Sequence, residues 1–333
     1  MFMRSKFNAL FCFVFIALGT LYFAGTAVIA NNNYITIAAG APLLQDWTDI
    51  MLLNNVDDWT QVVAIEAFSG AGLAPVPGTD ARTILADNPI GSLRIAPNQA
   101  DPITSTADGV AEFELANPTV ALRGSDTASA PNLVIHVDTT QGCAGKAVSV
   151  KYDVRDIDAS ANNAISQVNT QYRLGGTGNY TNVPFAYLPD ATIGPGATGS
   201  TTRLSTLPIH ATGQAMVDIR IMTTNAVGTD EWIGIDNIRV ECLPVSAGNA
   251  VVSGQVRDSR GRGIAKAVVS ITDPNSGIVY RAKTSPFGYY QIEGLEVGSV
   301  YVVTVAHKAY TFINTTQSLM LLQDTDGVDF ETN

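Results

Sequence analysis

His136, His210 and His307 are the only side chains in this chain whose ordinary pKa puts their charge change near neutral pH. They lie far apart in sequence. No His-Glu-x-x-His, Gly-x-Ser-x-Gly or phosphate-cradling glycine loop accompanies them. His136 falls within an apolar run, where a packed core imidazole is expected. Glycoside hydrolysis needs two carboxylates held several ångströms apart. Asp46, Asp156 and Glu231 qualify by type, as acids do in any acidic chain. No catalytic residue is expected, and the residue types point away from an enzyme.

A second constellation is rich in oxygen. Asp156, Asp158, Asn162 and Asn163 fall within eight residues. Calcium takes several oxygen ligands from flexible acidic loops of this kind, and Asp236 with Asn237 would supply more. The spacing is not that of a twelve-residue EF-hand loop, because no glutamate closes it. The competing reading is Asx-turn chemistry, in which these side chains bond their own backbone. A structural calcium at Asp156, Asp158, Asn162, Asn163 and Asp236 is one expectation, and no other cofactor is foreseen.

The aromatic residues form a third. Trp47, Trp59 and Trp232 precede residue 243, with Tyr180, Phe185 and Tyr187 in a loop-rich stretch. Flat rings flanked by Asp and Asn can stack on sugar faces, yet buried tryptophan is the commoner use. The runs around Trp59 and Trp232 are apolar enough for a core. Trp47, between Asp46 and Asp49, is expected half exposed. Trp47, Tyr180 and Tyr187 are the candidate ligand contacts.

The elements that would carry these side chains are strands. Runs with β-branched residues recur at 59–65, 132–138, 147–154, 164–172, 216–222 and 232–240, separated by Gly, Pro, Asn, Asp, Ser and Thr. Many short strands with turn residues between them predict a sandwich or jelly roll. Alternation in Val168-Asn169-Thr170-Gln171-Tyr172-Arg173-Leu174 predicts one buried face and one wet face. Residues 70–102 read as a long surface excursion with a short strand near 82–85. Residues 190–202 read as a loop.

Charge narrows the partners. The chain of 333 residues carries a formal charge of −11. Residues 31–243 hold 22 acids and 10 bases, whereas residues 244–333 hold 8 acids and 7 bases. Such a chain repels nucleic-acid phosphate. The first 30 residues read as an export leader: Arg4 and Lys6, then an apolar run, then Val28-Ile29-Ala30. Cleavage before Asn31 would move the charge to −13, since Arg4 and Lys6 are the leader's only charges. An uncleaved anchor is the alternative. Of three cysteines, Cys12 sits in the leader. In an oxidising compartment Cys143 and Cys242 make an even pair, which predicts one disulfide rather than two free thiols.

From residue 254 the sequence reads GQVRDSRGRGIAKAVVSITDPNSG and then TSPFGYYQIEGLEVGSVYVVTVAH. Its glycines fall between short alternating runs, as tight turns between strands require. This stretch resembles the carboxypeptidase regulatory-like domain, a small transthyretin-like β-sandwich also classed as carbohydrate-binding-like. The resemblance implies a non-catalytic appendage, since peptidase chemistry in that setting needs zinc ligands in a separate domain.

Residues 46–240 resemble a bacterial secreted jelly-roll β-sandwich of the kind that accompanies extracellular nucleases. The match rests on Gln45-Asp46-Trp47-Thr48-Asp49-Ile50, Tyr152-Asp153-Val154-Arg155-Asp156-Ile157-Asp158 and the closing Asp230-Glu231-Trp232-Ile233-Gly234-Ile235-Asp236-Asn237-Ile238. It implies an exported setting, without the catalytic domain.

The expected chain is therefore all-β, with two sandwiches: leader 1–30, jelly roll 31–243, linker 244–250 and regulatory-like domain 251–333. The expected function is that of a secreted or cell-surface binding or adhesion protein, recognising carbohydrate or a surface protein, with no nucleic acid and no membrane contact after leader cleavage. The alternative is a structural component of an extracellular or envelope assembly with no small ligand.

Overall fold

A computed structural model describes residues 32–160, 164–192, 200–244, 249–274 and 276–333. The leader, Asn162, Asn163 and residues 245–248 of the linker lie outside them. The described chain is built from twenty strands and two short 3-10 turns.

Thirteen strands make the first sandwich. They are β1 (Ile35–Thr36), β2 (Leu43–Gln45), β3 (Ile65–Phe68), β4 (Ala96–Gln99), β5 (Gly109–Phe113), β6 (Thr119–Arg123) and β7 (Asn132–Asp138). They continue as β8 (Lys146–Asp156), β9 (Asn169–Leu174), β10 (Thr181–Asn182), β11 (Thr201–Thr206), β12 (Val217–Met222) and β13 (Ile233–Pro244). One sheet runs β1-β7-β12-β9-β10, with β3 beside β7; the other runs β11-β8-β13-β6-β5-β4, with β2 beside β13. Their inner faces meet in one apolar core that includes Ile135, Val150, Tyr152, Ile219, Ile221 and Val240. Strand β12 is buried along its whole length, because the sheet packs on its core face and is covered on its outer face.

That cover is the excursion 70–102. Its expected strand near 82–85 is instead a 3-10 turn, Ala81–Thr83, whose Asp80 side chain accepts from the Arg82 amide. Nor is the excursion merely surface: Ala81, Ile84, Leu93 and Ile95 are buried. The expected strand at 59–65 also gives way. Asp58 bonds the amide and hydroxyl of Thr60, which favours a turn, and β3 begins only at Ile65.

Seven strands make the second sandwich: β14 (Asn249–Arg257), β15 (Val268–Thr272), β16 (Val279–Lys283), β17 (Tyr289–Glu296), β18 (Ser299–Ala306), β19 (Thr316–Leu321) and β20 (Phe330–Glu331). They form a sheet β17-β14-β20 and a sheet β16-β15-β18-β19 around a separate core of Val252, Val269, Ile271, Tyr301, Val303 and Phe330. Two glycines hold the turns together. Gly288 has φ +81°, and a Cβ there would meet the Val256 carbonyl at 2.3 Å. A Cβ on Gly263 would meet the Phe287 carbonyl at 2.0 Å. The backbones approach too closely for any other residue.

Candidate functional site

The densest cluster of charge lies on the outer face of the β7–β12–β9 sheet, under the excursion. Strand alternation puts His136 and Asp218 opposite each other, with Arg173 beside Asp218 on the next strand. Asp218 Oδ1 lies 2.8 Å from His136 Nδ1 and accepts from the Tyr34 hydroxyl at 2.7 Å. Asp218 Oδ2 accepts from Arg173 Nε at 2.6 Å. The other imidazole nitrogen, Nε2, faces Glu66 Oε1 at 3.3 Å. His136 and Asp218 are 3% and 0% exposed.

Burial alone would lower the His136 pKa, but the hydrogen bonds and charges of Asp218 and Glu66 outweigh it and hold it up at about 9. Burial would raise Asp218; the His136, Tyr34 and Arg173 contacts win and hold its carboxyl below the usual range. The imidazolium is thus fixed between two carboxylates. Both of its nitrogens are engaged within the cluster.

Arg220 extends the cluster. Its guanidinium is fully buried and donates to Gln171 Oε1 and to the carbonyls of Ile84 and Ala86. It thereby ties the excursion to β12 and β9. Tyr180 lies between the two arginines, its ring 4.5 Å from Arg173 and 3.8 Å from Arg220. Arg220 is not marked out by its sequence, because nothing in an apolar run shows that its arginine will find three tertiary acceptors.

The expected ligand aromatics are placed differently. Trp47 is not half exposed: it is 2% exposed, with Nε1 donating to the Ile235 carbonyl at 2.8 Å. A left-handed backbone, φ 58°, turns its ring inward between two exposed aspartates. There it meets Trp59 edge to face at 6.3 Å. Tyr180 is likewise buried. Tyr187 is half-buried, with the Arg82 guanidinium 4.1 Å over its ring and its hydroxyl on Gln167. No shared surface joins the three.

The expected calcium ligands also separate. Asp156 accepts from the Asp158 amide, and Asp158 from the Ser160 amide, so both act in Asx turns. Asp236 is taken up by Arg155 at 3.0 Å and Asn117 at 2.9 Å. Asn162 and Asn163 lie outside the described residues. Among the described residues no group of three or more His, Cys, Asp or Glu side chains is set to hold a metal ion. The cation of this acidic corner is Arg123, which stacks 4.5 Å over Trp232 and faces Asp158, Asp108 and Asp230.

Glu231 lies beside Asp158 at this corner. It is 1% exposed, and neither carboxylate oxygen has a hydrogen-bond partner. Burial raises its pKa. Cys143 and Cys242 are disulfide-bonded, with Cα atoms 5.3 Å apart, tying the end of β13 to the turn before β8.

These observations define an all-β protein of two sandwich modules, the first tied by a disulfide and pinned by a buried ion network. Residues 251–331 match the carboxypeptidase regulatory-like domain, which places the second module in that family. No curated protein matches the chain. Among solved structures, the chain is similar at low level to BcpA, the major pilin subunit of Bacillus cereus, with 12% identity over 62% of this chain and 65% of that one and a TM-score of 0.22. It is similar to the Bacillus anthracis TIE protein, with 12% identity, 71% and 40% coverage and a TM-score of 0.22. A bacterial adhesin from Mobiluncus mulieris with disulfide, isopeptide and ester cross-links gives 8% identity, 71% and 94% coverage and a TM-score of 0.20. The chain spans less than two thirds of the lengths of BcpA and the TIE protein. TM-scores near 0.2 do not establish a common fold.

Proposed function

We propose that this is an exported, non-catalytic binding or adhesion protein of the cell surface. Its first sandwich, a jelly roll of the sort that accompanies secreted nucleases, presents loops to a carbohydrate or to a surface protein. The second is a rigid spacer or docking module. The observation that carries this reading is His136. In the best-built charged cluster of the molecule its two nitrogens are bound by Asp218 and Glu66, so the cluster stabilises the sheet and leaves no free base. One ring nitrogen of His210 meets the Tyr172 hydroxyl, and one of His307 accepts from the Ala309 amide. Among the described residues no helix is long and apolar enough to cross a membrane.

The test is a glycan and polysaccharide array probed with the exported protein, with calcium and with EDTA. Binding to one sugar class supports the reading, and calcium dependence would point to the loop from Asp156 to Asn163. Silence in both conditions moves the search to protein partners.

A second reading, a component of an extracellular assembly, is favoured by one surface. Met51, Val56 and Val63 are 67%, 65% and 58% exposed on a single loop. Large apolar side chains left exposed along one loop are candidates for a contact with a partner.

A further inference from the structure

We propose that copies of this chain associate head to tail, the loop between β2 and β3 of one copy docking on the far end of the second sandwich of the next. This rests on the assembly reading and gives it two named surfaces.

The loop combines apolar and acidic groups. Beside Met51, Val56 and Val63 it carries Asp46, Asp49, Asp57 and Asp58, and no lysine or arginine occurs between Asn32 and Ala81. None of these four aspartates forms an ion pair among the described residues. The loop is preorganised. Asp46, Asp49 and Asp58 each accept from a backbone amide two residues on. Trp47 and Trp59 anchor it from beneath, each burying roughly 150–250 Å². A rigid loop loses little ordering entropy on binding.

The far end of the second sandwich is its complement. Lys283, Val268 and Ala306 stand in one cross-strand row over β16, β15 and β18. Lys266 precedes Val268 by two residues and Lys308 follows Ala306 by two, and together these side chains line a shallow hollow with an apolar floor. All three lysines are exposed. None of them is in an ion pair among the described residues. Phe287, 76% exposed, lies four residues past Lys283. At this end Asp258 and Asp329 are neutralised by Arg262 and Arg257. Glu296 and Asp324 sit at the other end, beside Asn249 and Val251 where the linker enters. The domain is close to neutral overall, and its three lysines lie at this end, where Glu331 is the remaining carboxylate.

Both surfaces lie away from the linker. Trp47 is fixed at Ile235, and β13 runs nine residues from there to Pro244, about 30 Å of strand. In the second sandwich β14 starts at the linker, whereas the lysine row lies across the start of β15 and the end of β18. A contact between two different patches is heterologous, and repetition builds chains or rings rather than closed dimers. Opposite charge steers such encounters and is screened by salt.

The experiment is sedimentation velocity on the exported protein over a concentration series at low and high salt. Two variants are compared: Asp46→Asn/Asp49→Asn/Asp58→Asn, which keeps the turn acceptors, and Lys266→Glu/Lys283→Glu/Lys308→Glu. Circular dichroism and melting confirm that each is folded. Wild type is expected to grow with concentration at low salt and to dissociate at high salt. Each variant alone is expected to associate at least about tenfold more weakly. Mixed, they are expected to form one-to-one dimers and stop, because each retains one intact surface. Association that survives both variants overturns this interface while leaving the assembly reading. A wild-type monomer at every concentration overturns both. A mixture that stays monomeric overturns the head-to-tail geometry.

Discussion

His136 on β7 and Asp218 on β12 stand directly opposite each other in the first sandwich, with Nδ1 2.8 Å from Oδ1 and neither side chain open to water. Glu66 closes the other nitrogen. The pair accounts for a length of sheet whose outer face carries charge beneath a loop rather than in solvent.

This pairing makes stability depend on pH. The folded-state His136 pKa, about 9, lies above its ordinary value of 6.5. Its contribution is therefore full below about pH 6.5 and is lost as pH rises through about 9, amounting to about 3 kcal/mol. Urea melts from pH 6 to pH 10 are expected to lose stability across that window. His136→Gln is expected to be less stable at pH 6 and to show a flatter profile. An unchanged profile in the variant would place the titration elsewhere.

Arg220→Met should free the excursion. It removes the donors to Ile84, Ala86 and Gln171 and leaves the buried Gln171 Oε1 unpaired, at a cost of about 1–3 kcal/mol. Hydrogen exchange at residues 81–86 is expected to speed up more than exchange in β8 or β13. Uniform acceleration across both sheets would count against a local clasp.

The Cys143–Cys242 bridge closes a separation of 99 residues. Chain-entropy reasoning gives a cost of up to about 5 kcal/mol for Cys143→Ser/Cys242→Ser. The first sandwich is expected to melt earlier and the second to melt unchanged, read by calorimetry in wild type and variant.

Gly288→Ala should act in the second sandwich alone. It forces a Cβ against the Val256 carbonyl at a left-handed φ, a strain of about 2 kcal/mol or more. A shift in the first sandwich's transition as well would show that the two cores unfold together.

Glu231→Gln is expected to raise the melting temperature in EDTA, because it removes a buried carboxylate without a hydrogen-bond partner, worth about 1–3 kcal/mol. Calcium that stabilises wild type but not the variant would instead put an ion on this side chain.

Much of the fold was legible in residue order. The runs at 132–138, 216–222 and 232–240 became β7, β12 and β13 because branched apolar side chains suit a pleated, packed surface. The candidate sites were far less so. Trp47 was expected half exposed because its neighbours are aspartates. Those aspartates are exposed, and a left-handed backbone turns the ring the other way. Asp236 was grouped with Asp156 by type. Arg155 on the neighbouring strand claims it, and strand register decides that, not spacing.

By itself the sequence determined the all-β class, the regulatory-like module, the acidic first domain and the cysteine pair. Each is set by local pattern or composition, which needs no partner to be read. Tertiary structure alone decided that His136, Asp218, Glu66 and Arg173 share one buried cluster, that Arg220 clasps a loop over 130 residues away, and that Lys266, Lys283 and Lys308 meet at one end of the second sandwich. Those facts depend on which strands pair and in what register, and that choice is made by the packing of two whole sheets rather than by any segment alone.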